Sequence, residues 1–212
     1  MEAYAGARKV ITVRFADDFI VGFEYEEDAR RLPTELRQRF TKFGLELHPG
    51  KTRLIEFGRY AARERRQRGL GKPETFDFLG FKHICAKSRK GTFWIKRITI
   101  AKRARARLKE INEQLKRRRH EPVPVQGQWL ASVLRGHMAY YAVPGNSDAV
   151  STFRYQVTRL WHKALRRRSQ RNRITWERIN RYATRWIPQV RIMHPYPEVR
   201  LAARTQGRSP VR

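Results

Sequence analysis

The sequence predicts an α+β protein, with antiparallel hairpins and a helix in its first hundred residues, then a three-helix bundle and a basic tail. Three observations predict it. First, Val10 to Glu24 sets two runs rich in Val, Ile and Phe around a short polar centre holding the adjacent carboxylates Asp17 and Asp18. That is the pattern of a β-hairpin with acids at its tip. Second, from Ile100 the apolar residues recur at threes and fours, the period of helices that bury one face. Third, the net charge is +29 and is uneven: residues 151–212 carry 16 Lys and Arg against 2 acids, and all of those bases except Lys163 are arginine.

Such a field repels itself unless a polyanion neutralises it, and the planar guanidinium fork suits phosphate better than an ammonium does. Nucleic acid is the expected partner. A membrane surface would call for a basic helix with a wide apolar face, whereas the tail alternates aromatic and basic residues. The single cysteine, Cys85, excludes an internal disulfide and any zinc site with several thiolates. It fits a reducing compartment. With no leader pattern and no apolar run long enough to span a bilayer, the expectation is a soluble, cytoplasmic chain.

Taken in order, Met1 to Arg8 shows no pattern and leads into the hairpin. Glu26-Glu27-Asp28 places acids where a helix begins, and Pro33 then suggests a turn followed by a helix from about Pro33 to Phe43. Leu32, Leu36, Phe40 and Phe43 would form its buried stripe, and Gly44 suits a left-handed C-terminal cap. Lys51 to Phe57 alternates polar and apolar residues as a half-buried strand does. Residues 59–72 read as a basic exposed loop or frayed helix, either a solvated linker or a nucleic-acid contact. Thr75–Phe81 and Thr92–Ile95 read as paired strands around a turn at Lys87–Gly91.

The first bundle helix uses Ile100, Ala104, Leu108, Ile111 and Leu115, and is ended by Pro122 and Pro124. A second is expected over Gln128–Tyr141. A third follows the turn Pro144–Asp148, capped by Ser147 or Asp148 and lined by Val150, Phe153, Val157, Leu160, Trp161, Ala164 and Leu165. One short helix is expected near Trp176 to Trp186. Beyond Pro188 the chain reads as irregular.

Adjacent strand residues face opposite sides of a sheet, so Asp17 and Asp18 cannot both enter one core. Read alone they are a turn pair or ligands for a hard divalent cation, which takes one or two carboxylates and completes its shell with phosphates and water. Phe15-Ala16-Asp17-Asp18, the helix–loop stretch Phe43-Gly44-Leu45 to Pro49-Gly50-Lys51, Phe78-Leu79-Gly80-Phe81 and the basic helices occur in one order. In that order they resemble the second half of a reverse-transcriptase palm followed by its thumb, nearest to bacterial group II intron-encoded reverse transcriptases, or maturases. Gly136–Tyr141, Arg166–Gln170 and the stretch from Trp186-Ile187-Pro188 to Pro197 resemble that family's C-terminal region.

The resemblance implies three regions: a partial palm over residues 1–98, a helical thumb over 99–168 and a basic nucleic-acid-binding tail over 169–212. It implies Mg²⁺ held by Asp17, with Asp18 supporting the site, and a catalytic role for Lys51 beside the leaving pyrophosphate. Phe78, Leu79, Gly80 and Phe81 would grip the primer end. Arg103, Arg107, Arg117, Arg118, Tyr140, Tyr141, Arg166, Arg167, Arg168, Arg171 and Arg173 would contact nucleic acid, namely RNA and a DNA primer. Phe15 stands where the family has Tyr.

The family's further palm aspartate has no counterpart, because the only acid before Asp17 is Glu2, in the unpatterned lead-in. Two metals clamped for phosphoryl transfer need that acid. The expectation is therefore a truncated or split reverse-transcriptase product with little or no polymerase activity alone, for which a separately encoded N-terminal half would be a partner. The competing expectation is a splicing cofactor that grips intron RNA without catalysis. A ribosomal-type basic protein fits less well, since a pure phosphate binder has no use for exposed paired acids.

Overall fold

A computed structural model of the chain describes residues 10–88, 90–169 and 174–196. Arg171, Arg173, Gln170 and Pro197, singled out from the sequence, lie outside the described residues, as does Arg89 in the Lys87–Gly91 turn. The fold is mixed α+β and divides into two compact units, residues 1–74 and 75–212. That division falls ahead of the boundary at residue 98 drawn from the sequence.

In the first unit β1 (Val10–Phe15) and β2 (Asp18–Phe23) pair antiparallel with Phe15 opposite Asp18, leaving Ala16-Asp17 as a two-residue turn. Helix α1 (Glu26–Thr41) packs against β2 and is longer than its sequence suggested, because Pro33 lies inside it rather than at its start. A proline there removes one i to i−4 bond. The helix has no fully buried residue, so the freed carbonyl of Ala29 can be met by water. Its end follows expectation: Gly44 takes a φ of +66°, Leu45 N–H donates to Phe40 O at 3.0 Å, and Gly44 N–H donates to Thr41 O at 3.1 Å. These two bonds form a Schellman cap.

The strand expected over Lys51–Phe57 is not formed. Residues 49–51 are a turn and 52–57 have no regular structure. A strand needs a ladder partner for its N–H and C=O groups, and no strand of the described residues pairs with that run. The basic stretch contains α2 (Ala61–Gln67). Two of its arginines turn back to Glu56, Arg65 through Nη1 at 3.0 Å and Arg68 through Nη2. The bond from Arg68 leads in holding the Glu56 carboxyl below its usual range.

The second unit opens with a three-stranded antiparallel sheet in the order β3 (Phe76–Phe78), β4 (Phe81–Lys87), β5 (Phe93–Thr99). Thr75–Phe81 is thus not one strand. It bends at Leu79-Gly80, both at positive φ (+48° and +81°), so that Phe78 pairs with Phe81. Two central residues at positive φ make a type I′ turn, whose twist matches that of the flanking strands.

Four helices follow, the three expected for the bundle and the short one expected near Trp176 to Trp186: α3 (Ala101–Arg117), α4 (Val123–Tyr141), α5 (Ser147–Arg166) and α6 (Trp176–Trp186). Helix α4 begins five residues before Gln128, with Pro124 in its first turn, where a missing N–H costs nothing. The residue that caps α5 is Asn146 rather than Ser147 or Asp148, and its side chain is used elsewhere. The core is built from Ile111 and Leu115 of α3, Leu130, Leu134 and Met138 of α4, and Val150, Phe153, Val157, Trp161 and Leu165 of α5. Ile179 and Ala183 of α6 complete it, joined by Ile187 beyond the helix.

Buried Asn146 bolts the sheet to the helices. Its Oδ1 accepts from Thr99 N–H at 3.0 Å, and its Nδ2 donates to Thr99 Oγ1 and to Tyr141 O, each at 2.8 Å. After α6, residues 187–196 are irregular but tied down. Met193 N–H donates to Ala142 O at 2.9 Å, His194 Nε2–H to Ala139 O at 2.7 Å, and Arg154 Nε–H to Pro188 O at 2.9 Å. Among the described residues no helix is long and apolar enough to cross a membrane.

Candidate nucleic-acid interface

Asp17 and Asp18 stand at the exposed tip of the β1–β2 hairpin. Ala16 holds a φ of +53°, costly for a residue with a Cβ, and its carbonyl accepts Arg14 Nε–H at 2.9 Å. The two-residue turn places Asp17 in the bend and Asp18 as the first residue of β2. Hard carboxylate oxygens of this kind suit Mg²⁺. Among the described residues no group of three or more His, Cys, Asp or Glu is placed to hold a metal ion. The pair therefore fits part of such a site by chemistry and not the whole of one by number. Lys51 is exposed in the 49–51 turn, its N–H donating to His48 O at 3.1 Å.

In the second unit the structure brings several sequence-selected residues to one place. Arg103 and Arg107 of α3 and Tyr140 and Tyr141 of α4 line a single cavity of about 270 Å³, together with Ala104, Gly136 and His137. The helices present them because residues four apart share a helix face. The Leu79-Gly80 turn closes on the same groups. Tyr140 OH donates to Leu79 O at 2.7 Å. A Cβ built on Gly80 would lie 3.0 Å from Tyr141 Oη and 3.3 Å from Arg103 Nη1. The close backbone approach that Gly80 permits is thus used by the protein's own side chains. Phe81 is buried beneath, with ring centroids 5.8 Å from Tyr140 and 5.3 Å from Tyr141.

His137 stacks on Phe153 at 3.8 Å and tilts against Tyr141 at 4.6 Å. Burial, and then the charge of Arg107, lower its pKa to about 4, so at neutral pH it is an uncharged aromatic wall. Arg107 Nη1–H donates to Glu110 Oε2 at 2.6 Å, whereas no carboxylate partner is found for Arg103 among the described residues. The cavity therefore joins guanidinium groups to aromatic faces, a combination that takes phosphates on one and bases or sugars on the other. His137 and Gly136 were not selected from the sequence as interface residues. Their signal was weak, since a histidine on a helix of mixed faces reads equally well as core.

The other selected residues sit apart from this cavity. Arg117, Arg166 and Arg167 are exposed, while Arg118 and Arg168 are partly buried at the α3–α4 turn and the end of α5. Trp161 is core, with an exposure of 0% and its Nε1–H donating to Gln126 Oε1 at 2.8 Å. Trp186 packs on Gly127, and Trp176 is half exposed over His162.

The first unit thus presents exposed paired carboxylates, and the second a cavity lined by arginine and aromatic side chains. Residues 1–83 match the family model described as reverse transcriptase (RNA-dependent DNA polymerase), which supports a reverse-transcriptase relationship for this part of the chain. Proteins of that family bind RNA and DNA and in general use a divalent metal. The match takes in Asp17, Asp18, Lys51 and the Phe78–Phe81 turn, and α3 to α6 lie outside it. No curated protein matches the chain.

Proposed function

We propose that the chain is part of a group II intron-type reverse transcriptase (maturase), and that α3 to α6 act as its thumb by binding the backbone of a template–primer duplex or of intron RNA. The observation that carries this reading is the cavity in which Arg103, Arg107, Tyr140 and Tyr141 meet at the Leu79-Gly80 turn. A turn held there by Tyr140 would carry a primer end, with Arg103 meeting a phosphate. Asp17, supported by Asp18, would hold one Mg²⁺ together with a carboxylate supplied from outside the described residues. The bound metal would polarise a phosphoryl oxygen. Lys51 would stabilise charge on the leaving pyrophosphate. Arg171 and Arg173, in the basic tail, would extend the contact to nucleic acid.

Primer extension on an RNA template with Mg²⁺ tests the catalytic half. The chain alone is expected to give little synthesis, and a separately supplied N-terminal reverse-transcriptase half is expected to restore it. Asp17→Ala would abolish the restored activity. Robust synthesis by the chain alone overturns the claim that the site needs a further carboxylate. Arg103→Glu tests the binding half and is expected to weaken RNA binding by at least about tenfold at low salt; unchanged affinity removes the cavity from the interface.

A second reading, a splicing cofactor that works without catalysis, draws on the charge of residues 151–212. It predicts tight, salt-sensitive binding to structured intron RNA that survives Asp17→Ala. Equal affinity for unrelated RNAs would reduce it to general polyanion binding.

A further inference from the structure

We infer that the α3–α4 turn and the end of α5 form a second site, in which Arg118, Arg119 and Arg168 hold a backbone phosphodiester of nucleic acid. This rests on the nucleic-acid reading above and adds a contact remote from the cavity. From Arg103 to Arg118 the α-helical rise spans roughly 20 Å.

Arg168 Nη2–H donates to the carbonyl of Glu121, and Arg118 Nη1 lies 3.2 Å from both carboxylate oxygens of the same residue, so these two guanidinium groups meet at Glu121. Arg119 follows Arg118 on the same turn. The Nε–H groups of all three are buried and lack a hydrogen-bond partner among the described residues. Arginine cannot shed its proton to relieve this. Burial, opposed more weakly by Tyr182, pulls the Arg168 guanidinium below its ordinary range. Of the three cations only Arg118 is paired with the Glu121 carboxylate, and no carboxylate partner is found for Arg119 or Arg168 among the described residues.

The cluster is also built to stay in place. Arg118 lies over the Trp129 ring at 5.1 Å. Fully buried Gln126 donates through Nε2 to the carbonyls of Arg118 and Arg119, and itself accepts from Trp161. A core glutamine therefore holds the turn that carries two of the arginines. The side chains of Arg118 and Glu121 remain about a third exposed, at 34% and 35%, so the site opens to solvent. Exposed Arg117, Arg166 and Arg167 flank it. A phosphodiester carries one negative charge and several acceptors, which offsets the excess cation without a second buried carboxylate.

The test uses the full chain and two measurements. Arginine ¹⁵Nε resonances are followed while inorganic phosphate is added. Affinity for a short RNA duplex is measured against salt for the wild type, Arg118→Gln/Arg168→Gln and Arg168→Lys. Phosphate is expected to move the resonances of Arg118, Arg119 and Arg168. The double variant is expected to bind the duplex about tenfold more weakly at low salt, with a salt slope lower by about 1 to 2. Arg168→Lys, which keeps the charge and loses the fork, should fall between.

Still resonances and a wild-type slope overturn the site, while duplex binding by the wild type leaves the first reading standing. Moving resonances with an unchanged slope overturn nucleic acid as the occupant. A wild type that fails to bind the duplex but still answers phosphate overturns the nucleic-acid reading and leaves a site for free phosphate. If the double variant does not fold, the wild-type titration and Arg168→Lys decide.

Discussion

His137 lies between Tyr141 and Phe153, and its folded pKa of about 4 sits below the ordinary 6.5. Between those values the unfolded chain binds a proton that the folded chain does not. The stability tied to a neutral His137 is therefore complete above about pH 6.5 and is lost as pH falls towards 4. His83, lowered mainly by burial, acts with the same sign. The melting temperature should drop across that window, and His137→Phe should flatten the drop relative to wild type; parallel curves would count against it. Asn146 is the other decisive single residue. Removing its amide leaves Thr99 N–H and Tyr141 O without their partner in a buried place, and Asn146→Ala should cost about 2 to 3 kcal/mol in urea unfolding.

Between elements, small residues decide how close two chains can come. Gly127 lies within α4, where alanine would ordinarily stabilise a helix by about 1 kcal/mol. Here a Cβ would stand 2.5 Å from Trp186 Cγ, so the sign reverses. Gly127→Ala should destabilise by about 1 to 3 kcal/mol, and Trp186 fluorescence should report a loosened α6. A stabilised protein would show that this contact does not hold α6 in place. The hairpin of β3 and β4 illustrates the opposite case. Leu79 sits in left-handed backbone with a Cβ, and the turn is held from outside by the Tyr140 hydroxyl.

Over the whole chain, burial is unequal. Ala61 alone is buried among the described residues of 10–74, and Ile11, Phe15 and Phe43 are 68%, 62% and 71% exposed. The second unit has a continuous core across four helices. Hydrogen exchange should therefore find the β1–β2 amides exchanging on the order of a hundredfold faster than those of α4 and α5. Equal protection would mean that the first unit has a core these contacts do not reveal. So large an exposed apolar surface on a hairpin is also a liability for aggregation.

Much of the fold was legible because it rests on local chemistry. The hairpin around Asp17-Asp18 follows from β-branched runs, the Gly44 cap from its missing Cβ, and the α5 stripe from Val150 to Leu165 from a helical period. The misplaced features turned on partners distant in sequence. Lys51–Phe57 alternates as a strand does but pairs with no strand among the described residues, and Pro33 is tolerated because α1 is exposed. Of the site, the sequence by itself determined the chemistry: paired carboxylates, a heavy arginine excess, and aromatic residues on basic helices. Only the tertiary structure decided that Arg103, Arg107, Tyr140 and Tyr141 share one cavity and that Arg118 and Arg168 meet at Glu121. The reason is physical. Residue type sets what a side chain can bind, whereas convergence depends on the packing of helices separated by dozens of residues, which no local pattern encodes.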